Sequence, residues 1–211
     1  MPAIDTVVFD VGGVLLDWDP RHLYRKVFAD EAAVERFLAE TGLLDWHVRE
    51  HDRGGRWPRR SPRWSDASPP TPRRSASGRG GSWRTSAASS TGTVALLAEL
   101  RGRARLLALS NWPAETATEL RATYEFFGWF DGVVISGEER VAKPDPRLFR
   151  LLCERHAVDP ATSLFADDVP ANATAAEALG FNVHVFRSPE QLRIDLERLG
   201  LLPGPAPAPQ G

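Results

Sequence analysis

Short apolar runs alternate with helical patterns along most of this chain. Five segments carry continuous β-branched and apolar residues, without the apolar–polar alternation of a half-buried strand, so each predicts a strand buried on both faces. These segments are residues 6–10, 104–110, 132–136, 163–167 and 182–186. Between the later ones, apolar residues at helical spacing predict helices over residues 114–124, 146–156 and 171–179. This order predicts an α/β fold with a doubly wound parallel sheet, in which ligands bind at the carboxyl ends of the strands.

The segment before the second strand has a different composition. Helical patterns cover residues 20–28 and 32–41, but from Arg49 to Thr93 there is no Val, Ile, Leu, Phe or Met. Residues 54–90 hold eight arginines against one acid, Asp66. A stretch that cannot bury apolar side chains cannot offset the entropy cost of folding, so its composition predicts disorder or poor packing. The Pro-rich residues 203–211 predict a disordered tail.

Bulk composition limits the function classes. The 211 residues are 42% hydrophobic with a formal net charge of -2, which allows a buried core and favours neither a nucleic-acid binder nor a membrane-surface protein. The exception is the arginine-rich segment 54–90, whose interleaved tryptophans could stack on bases. Binding of nucleic acid by this segment is the weaker hypothesis. The single cysteine, Cys153, excludes an internal disulfide. Without a leader pattern or a long apolar run, we expect a cytoplasmic protein with no membrane partner.

Polar residues stand at four of the strand ends or loops where a ligand site is expected. They are Asp10 with Gly12 and Gly13, Ser110 with Asn111, Lys143 before a proline, and Asp167 with Asp168. Each has an ordinary alternative explanation as a turn former or a surface charge. However, backbone N–H groups of a glycine turn can approach an anion, and two adjacent acids without a cation repel each other. Together they indicate one site that binds an anion and a cation.

The order of these four groups resembles the signature motifs of the haloacid dehalogenase (HAD) superfamily. The resemblance covers residues 4–48 and 91–200, and the segments 9–15 and 165–172 are similar to its phosphatase-like subgroup, which has a helical cap between the first two motifs. It implies a HAD-like, Rossmann-like core of residues 1–16 plus 91–202. The cap insertion would be residues 17–90, small and degraded because its part 54–90 lacks apolar periodicity.

The resemblance implies a Mg²⁺-dependent hydrolase that cleaves a phosphomonoester of a small metabolite. Asp10 would attack phosphorus and form an aspartyl-phosphate that water hydrolyses. The Asp10 carboxylate, the Gly12 carbonyl and Asp168 would hold Mg²⁺, with Asp167 helping directly or through water; oxygen ligands suit this cation.

Further residues would act on the substrate in such an enzyme. Ser110, the Asn111 backbone and the backbone at Gly12 and Gly13 would bind phosphoryl oxygens. Lys143 would neutralise charge on Asp10 and on the phosphoryl group. We expect Asn172 to brace the loop after Asp168, and Trp18 and Trp112 to line the pocket.

One position departs from the family pattern. Most phosphatases of the superfamily carry a general acid two residues after the nucleophile, where this chain has Gly12. A positioned acid contributes about 10²–10⁴-fold, so we expect substrates with good leaving groups, or a proton from water, Asp17 or Asp19. The absence of that acid argues against a sugar phosphate mutase, which depends on it. The 2-haloacid dehalogenases also lack this acid, so that activity remains the alternative, although dehalogenases use no metal. The third hypothesis is a catalytically impaired member of the family.

The composition of residues 54–91 is typical of a GC-rich coding sequence translated out of frame. Codons for residues 55–92 can be chosen so that a neighbouring frame encodes an amphipathic helix. We therefore hypothesise paired frameshifts, with the frame restored near residues 91–93. The segment that would select the substrate is thus altered, and nothing in the sequence indicates the physiological substrate or the oligomeric state.

Overall fold

The computed structural model describes residues 3–19, 21–25, 28–42 and 87–204. Its strands are β1 Thr6–Phe9, β2 Leu16–Trp18, β3 Ala87–Ser89, β4 Arg105–Ser110, β5 Gly132–Ile135, β6 Ser163–Asp167 and β7 Asn182–Val185. Its helices are α1 Arg21–Tyr24, α2 Glu31–Thr41, α3 Thr91–Leu100, α4 Ala114–Thr123, α5 Ser136–Glu139, α6 Pro146–His156, α7 Pro170–Glu177 and α8 Pro189–Arg198. Two 3₁₀ turns, Glu125–Trp129 and Pro160–Thr162, precede β5 and β6.

Five parallel strands form the main sheet in the order β5-β4-β1-β6-β7. The chain runs outward from β1 through β4 to β5, then crosses back to place β6 and β7 on the other side of β1. Strand order therefore reverses at the central strand β1. In open parallel sheets this reversal leaves a crevice at the carboxyl ends of the strands, which is the usual ligand site.

Both faces of the sheet are covered, as continuous apolar strands require. Val7 and Phe9 of β1 pack into one core with the buried residues of α3, α4 and α8. Val8 points to the other face and packs in a second core with the buried residues of α6 and with Ala176 of α7. The predicted doubly wound α/β fold is confirmed.

Most predicted elements agree with the structure to within one or two residues. The strands predicted at 6–10, 132–136 and 182–186 each end one residue earlier, and Ser136 instead begins α5. Helices α3 and α8 were not predicted. Their patterns are weak: α8 buries only Leu192 and Leu196, and α3 begins inside the stretch that lacks large apolar residues. They are neighbours in the fold, since a Cβ on Gly92 would contact Pro189.

The chain leaves and re-enters the core through a small antiparallel ladder. Leu16 of β2 pairs with Ser89 of β3, and Trp18 pairs with Ala87. Ala87–Ser89 belong to the segment predicted to be disordered or poorly packed, so that prediction is wrong for these three residues. Residues 54–86 of that segment and residues 205–211 of the tail lie outside the described residues.

Two helices are described in the segment 17–90, which the resemblance assigns to a cap. The first is shorter than predicted, α1 covering only Arg21–Tyr24, whereas α2 matches the prediction apart from starting one residue earlier. Asp30 caps α2 by accepting a hydrogen bond from Ala33 N at 2.8 Å, and Gly42 ends it in a left-handed conformation. Within the described ranges, no helix combines the length and the apolar character needed to cross a bilayer.

Candidate active site

Lys143 links two buried carboxylates at the carboxyl rim of the sheet. Its Nζ lies 2.8 Å from Asp10 Oδ1 and 2.7 Å from Asp167 Oδ2, and it also donates to the Leu109 carbonyl at 2.8 Å. The lysine is 3% exposed, Asp10 7% and Asp167 0%. Residues from three separate sequence motifs thus share one ion-pair network, which brings together groups predicted at three different strand ends and loops.

Asp167 is held by donors on both of its oxygens. Asn172 Nδ2 lies 2.9 Å from Oδ1 and 3.0 Å from Oδ2, and Val169 N donates to Oδ1 at 2.8 Å. With Lys143 also bound to Oδ2, this carboxylate has little capacity left for a direct metal bond. Asn172 therefore holds Asp167 in place from the start of α7, which agrees with the bracing role that the sequence suggested. For Asp167, the geometry favours the predicted contact to Mg²⁺ through water over a direct one.

Asn111 positions Lys143 through its side chain. Its Nδ2 donates to the Lys143 carbonyl at 3.0 Å, and its Oδ1 accepts from the Lys143 backbone N at 2.9 Å. This two-point contact ties the end of β4 to the segment before α6. The sequence analysis assigned only the backbone of Asn111, to phosphate binding, and missed the role of its side chain. Nothing in the local sequence relates Asn111 to a residue 32 positions later.

Ser110 lies beside this network with an unused hydroxyl group. It is fully buried, and its Oγ has no hydrogen-bond partner among the described residues. A buried hydroxyl without a partner costs free energy, typically about 1–3 kcal/mol. Retaining one at this rim is consistent with a ligand oxygen as its partner.

The turn after β1 brings Asp168 close to the nucleophile position. Gly13 has φ +79°, and a Cβ there would collide with the Asp168 carboxylate. Gly13 N donates to the Leu16 carbonyl at 2.7 Å, and Val11 N donates to Asp10 Oδ1 at 2.7 Å. The glycine is therefore required both by its backbone conformation and by the approach of the second acid.

Three carboxylates could share one cation at this rim. Asp10, Asp167 and Asp168 each offer an oxygen, and these oxygens lie within 4.8 Å of one another. A set of oxygen donors of this kind fits a hard divalent cation such as Mg²⁺. Asp168 is the member whose carboxylate has no strong cationic partner in contact among the described residues, so it is the best placed to bind an ion directly.

Burial shapes the proton affinities of these acids. Loss of water raises the pKa of Asp10 to about 8, although Lys143 opposes the shift, and the neighbouring Asp167 and Asp168 add to it. Burial also raises the pKa of Asp168, with the charge of Asp167 as the second cause. Lys143 keeps a raised pKa because its two carboxylate partners outweigh its own burial. The lysine therefore stays charged, and a bound cation would favour ionised Asp10 and Asp168.

Trp18 and Trp112 contact each other near the same turn; that they line the substrate pocket stays a prediction. Their ring centroids are 6.4 Å apart at an interplanar angle of 68°. Of the two acids considered as proton donors, Asp19 accepts hydrogen bonds from Arg21, whereas the side chain of Asp17 is 67% exposed. Asp17 Oδ2 lies 3.3 Å from His22 Nε2, and Asp19 accepts a hydrogen bond from Arg21 N at 2.9 Å.

Fold and site together define a class of hydrolase, and a comparison with known families identifies it. Residues 4–180 match the family model of the haloacid dehalogenase-like hydrolases. The chain therefore belongs to this family, as its four motifs indicated.

Curated relatives match over shorter segments. Human N-acylneuraminate-9-phosphatase is 36% identical over 74 residues, which are 35% of this chain and 30% of the phosphatase. Acyl-CoA dehydrogenase family member 10 of Mus musculus is 39% identical over 70 residues, 33% of this chain and 6% of that protein. A sesquiterpene phosphatase of Aspergillus oryzae is 31% identical over 88 residues, 41% of this chain and 45% of the phosphatase. In each case the match spans less than half of the relative.

Solved structures share the fold over most of the chain. A HAD family enzyme from Bacteroides thetaiotaomicron, in complex with magnesium and inorganic phosphate, has a TM-score of 0.65 at 19% identity, covering 88% of this chain and 95% of that one. L-2-haloacid dehalogenase from Xanthobacter autotrophicus has a TM-score of 0.62 at 21% identity, covering 95% and 85%. At these identities the likeness establishes the fold alone.

Proposed function

We propose that this protein is a Mg²⁺-dependent phosphatase that uses Asp10 as its nucleophile on phosphomonoesters of small metabolites. The observation that carries the proposal is the shared contact of Lys143 with Asp10 and Asp167, beside the unpartnered hydroxyl of Ser110. The phosphatase names among the curated relatives support the same reaction class.

The residues of the chain divide the work of this reaction. An Asp10 carboxylate oxygen attacks phosphorus, the bond from phosphorus to the ester oxygen breaks, and water then hydrolyses the aspartyl-phosphate. Lys143 offsets the charge that gathers on Asp10 and on the phosphoryl oxygens. The Ser110 hydroxyl and the Asn111 backbone bind phosphoryl oxygens, as do the backbone groups of Gly12 and Gly13.

The acid cluster supplies the cation site in this proposal. Asp10, Asp168 and the Gly12 carbonyl would hold Mg²⁺, with Asp167 acting through water because its oxygens already accept hydrogen bonds. Bound Mg²⁺ would neutralise negative charge on the phosphoryl group.

A 2-haloacid dehalogenase is the competing activity, because Gly12 leaves the chain without the acid that most phosphatases of the family carry. The acid pair favours the phosphatase. Two ionisable carboxylates close to Asp10 would repel a carboxylate substrate, and they are unnecessary in a reaction that uses no metal.

One set of assays separates these activities. We expect hydrolysis of p-nitrophenyl phosphate that requires added Mg²⁺ and falls by about 10⁴-fold in Asp10→Asn, since the nucleophile is lost. The matched control is Asp5→Asn, an exposed acid at the opposite end of β1, which should retain activity. Halide release from 2-chloropropionate without Mg²⁺ would contradict the proposal in favour of the dehalogenase. Inactivity of a folded sample on both substrates would contradict it in favour of a catalytically impaired remnant.

We further propose the domain division that the sequence suggested, a core of residues 1–16 plus 91–202 and a cap of residues 17–90. The pairing of β2 with β3 supports it, because these strands lie where the insertion leaves and rejoins the core. An arginine-rich nucleic-acid site in residues 54–90 remains the weaker alternative.

A further inference from the structure

A cleft opens at the amino rim of the sheet, at the other end of the strands from Asp10. Its volume is about 540 Å³, which is within the usual range for sites that bind small molecules. The polar and aromatic side chains that line it are Asp5, Arg101, Arg103, Arg105, Trp129 and Asp131. Arg105 begins β4 and Ser110 ends it, so about 16 Å of strand separates this cleft from the candidate active site.

Hydrogen bonds to the backbone hold the walls of this cleft in place. Arg105 N donates to the Asp5 carbonyl at 2.8 Å, which joins the starts of β1 and β4. Asp131 N donates to the Leu106 carbonyl at 2.8 Å, and Leu106 N donates to Asp131 Oδ2 at 2.8 Å. A ligand that binds here would meet an ordered backbone, which lowers the entropy cost of binding.

Three arginines line this cleft without an acidic partner among the described residues. None of their guanidinium groups lies within 4.0 Å of a carboxylate oxygen in the described part of the chain. Arg101 lies over the Trp129 ring, 5.1 Å from its centroid, and Arg105 donates only to the Ala157 carbonyl at 3.4 Å. Arg103 is exposed. Guanidinium groups bind phosphate and carboxylate oxygens through paired N–H donors, so the arginines offer a site for an oxyanion.

Two carboxylates line the same cleft and restrict which anions fit. Asp131 Oδ2 accepts from Leu106 N at 2.8 Å, and Asp5 Oδ1 accepts from Thr6 Oγ1 at 2.7 Å. The second oxygen of each carboxylate has no donor among the described residues. These oxygens would repel a compact polyanion, but they can accept hydrogen bonds from hydroxyl groups. An ammonium group would instead be repelled by the arginines. The cleft therefore matches a ligand that carries one oxyanion and several hydroxyl groups.

We infer that this cleft binds a small polyhydroxylated anion, whose phosphate or carboxylate group contacts the arginines and whose hydroxyl groups contact Asp5 and Asp131. Phosphorylated sugars and sugar acids form this ligand class. The inference concerns binding alone, and no bond is made or broken at this site. It is independent of the proposed phosphatase activity, because it uses none of the residues at the carboxyl rim.

Nuclear magnetic resonance titration of full-length Asp10→Asn without Mg²⁺ tests where such a ligand binds, because this variant should not consume a phosphate ester. The probes are glucose 6-phosphate, glucuronate and glucose, at low ionic strength to limit screening. We expect one or both anions to shift the Gly102 and Leu106 amide signals and the Trp129 indole signal, with a dissociation constant of about 1 mM or below. The anion that binds identifies the oxyanion. Glucose alone should cause no saturable shift.

The role of the arginines is tested by a matched pair of variants. Arg103→Met should weaken binding of the sugar anion at least about 5-fold, because a charge-assisted contact is lost. The control is Arg150→Met, since Arg150 is also exposed but lies on α6 and does not line the cleft. It should leave the dissociation constant unchanged.

The role of the carboxylates is tested by comparing each sugar anion with its bare counterpart, inorganic phosphate or acetate. Asp5→Ala should reduce the affinity ratio between the two at least about 3-fold, because a hydrogen bond from a sugar hydroxyl to a charged acceptor is lost. The ratio is informative because removal of the negative charge affects both anions alike. An unchanged ratio would overturn the contact with the hydroxyl groups.

Other outcomes would overturn the inference as a whole. Shifts confined to the signals of Gly13 and Ser110 would place the ligand at the carboxyl rim. Equal affinities of Arg103→Met and Arg150→Met would show that the arginines of the cleft do not hold the anion. Saturable binding of glucose alone, or no saturable shift with either anion, would contradict it as well.

Discussion

Lys143 carries a charge in a place where charges are costly. A buried ion pair gains little net stability, because removing both groups from water offsets most of their attraction. Here one ammonium group faces two carboxylates and a carbonyl, so its three donors are all used. Removing the lysine would leave Asp10 and Asp167 facing each other without a counter-ion. The network therefore suits the binding of a phosphoryl group, as proposed above, better than it suits stabilisation of the fold.

Replacement of this lysine should damage both stability and catalysis. We expect Lys143→Met to lower the free energy of unfolding without Mg²⁺ by about 3–5 kcal/mol, the usual cost of breaking a buried pair. We also expect kcat with Mg²⁺ to fall by about 10²–10³-fold, because the positive charge that offsets the developing negative charge is lost. Urea denaturation and p-nitrophenyl phosphate turnover measure the two effects. Arg150→Met, an exposed change on α6, is the control; equal stability of both variants would contradict the argument.

The turn between β1 and β2 shows how one short element serves both fold and site. Leu15 N and Leu16 N both donate to the Val11 carbonyl, at 2.9 and 2.8 Å, so the chain reverses within a few residues. This reversal places Trp18 next to Gly12 and leaves room for Asp168 against Gly13. The two adjacent glycines therefore differ, because the backbone and the approach of Asp168 require glycine at position 13, whereas no described neighbour requires it at position 12.

Alanine substitutions should show this difference. We expect Gly13→Ala to cost about 2 kcal/mol or more, because a left-handed residue with a Cβ costs about 1–2 kcal/mol and this Cβ would also displace the Asp168 carboxylate. Gly12→Ala should change stability by less than about 1 kcal/mol, since among the described residues its Cβ would meet Trp18 alone, at ordinary contact distance. Urea denaturation measures both variants. Equal losses would show that the turn requires glycine at both positions.

At the scale of the whole molecule, proton binding and cation binding should be coupled to folding. The Asp10 pKa is raised from 3.8 to about 8 by burial, so between these values the folded protein keeps a proton that the unfolded chain has released. Stability without a cation should therefore fall as the pH rises through that window. A divalent cation needs the ionised carboxylate, so it should stabilise the fold more at high pH.

Thermal unfolding at pH 6 and pH 8 tests this coupling. At about 100 times its dissociation constant, Mg²⁺ adds about 2.7 kcal/mol, which is roughly 5–10 °C in Tm for a domain of this size. We expect the shift to be larger at pH 8 than at pH 6. In Asp10→Asn the difference between the two pH values should shrink, because the neutral amide does not titrate. An unchanged pH dependence in that variant would assign the coupling to another group.

The origin of the sequence of residues 54–91 also concerns the whole molecule. The frameshift hypothesis rests on its composition, and β3 begins at Ala87, slightly before the predicted frame restoration near residues 91–93. The nucleotide sequence is the direct test. If no other frame encodes a helix with apolar periodicity across residues 55–92, the hypothesis is wrong.

Much of the fold and several site residues could be predicted from the sequence, because their signals are local. Continuous apolar strands such as Ser163–Asp167 and the amphipathic helix Pro146–His156 have strong patterns within a few residues, and both were predicted to the residue. Asp10 and Asp168 stand out because an acid directly after a buried strand is unusual. Helices α3 and α8 were missed because their local patterns are weak: α8 buries only Leu192 and Leu196, and α3 begins among residues without large apolar side chains.

What the sequence by itself determined is the strand order along the chain and the chemical groups at each strand end. Only the tertiary structure decided that Lys143 contacts two acids at once, that Asn111 holds its backbone, and that Trp18 lies beside Gly12. The physical reason is distance along the chain. Local propensities reach only a few residues, whereas these contacts join positions that come together when β1, β4 and β6 align their carboxyl ends at one rim.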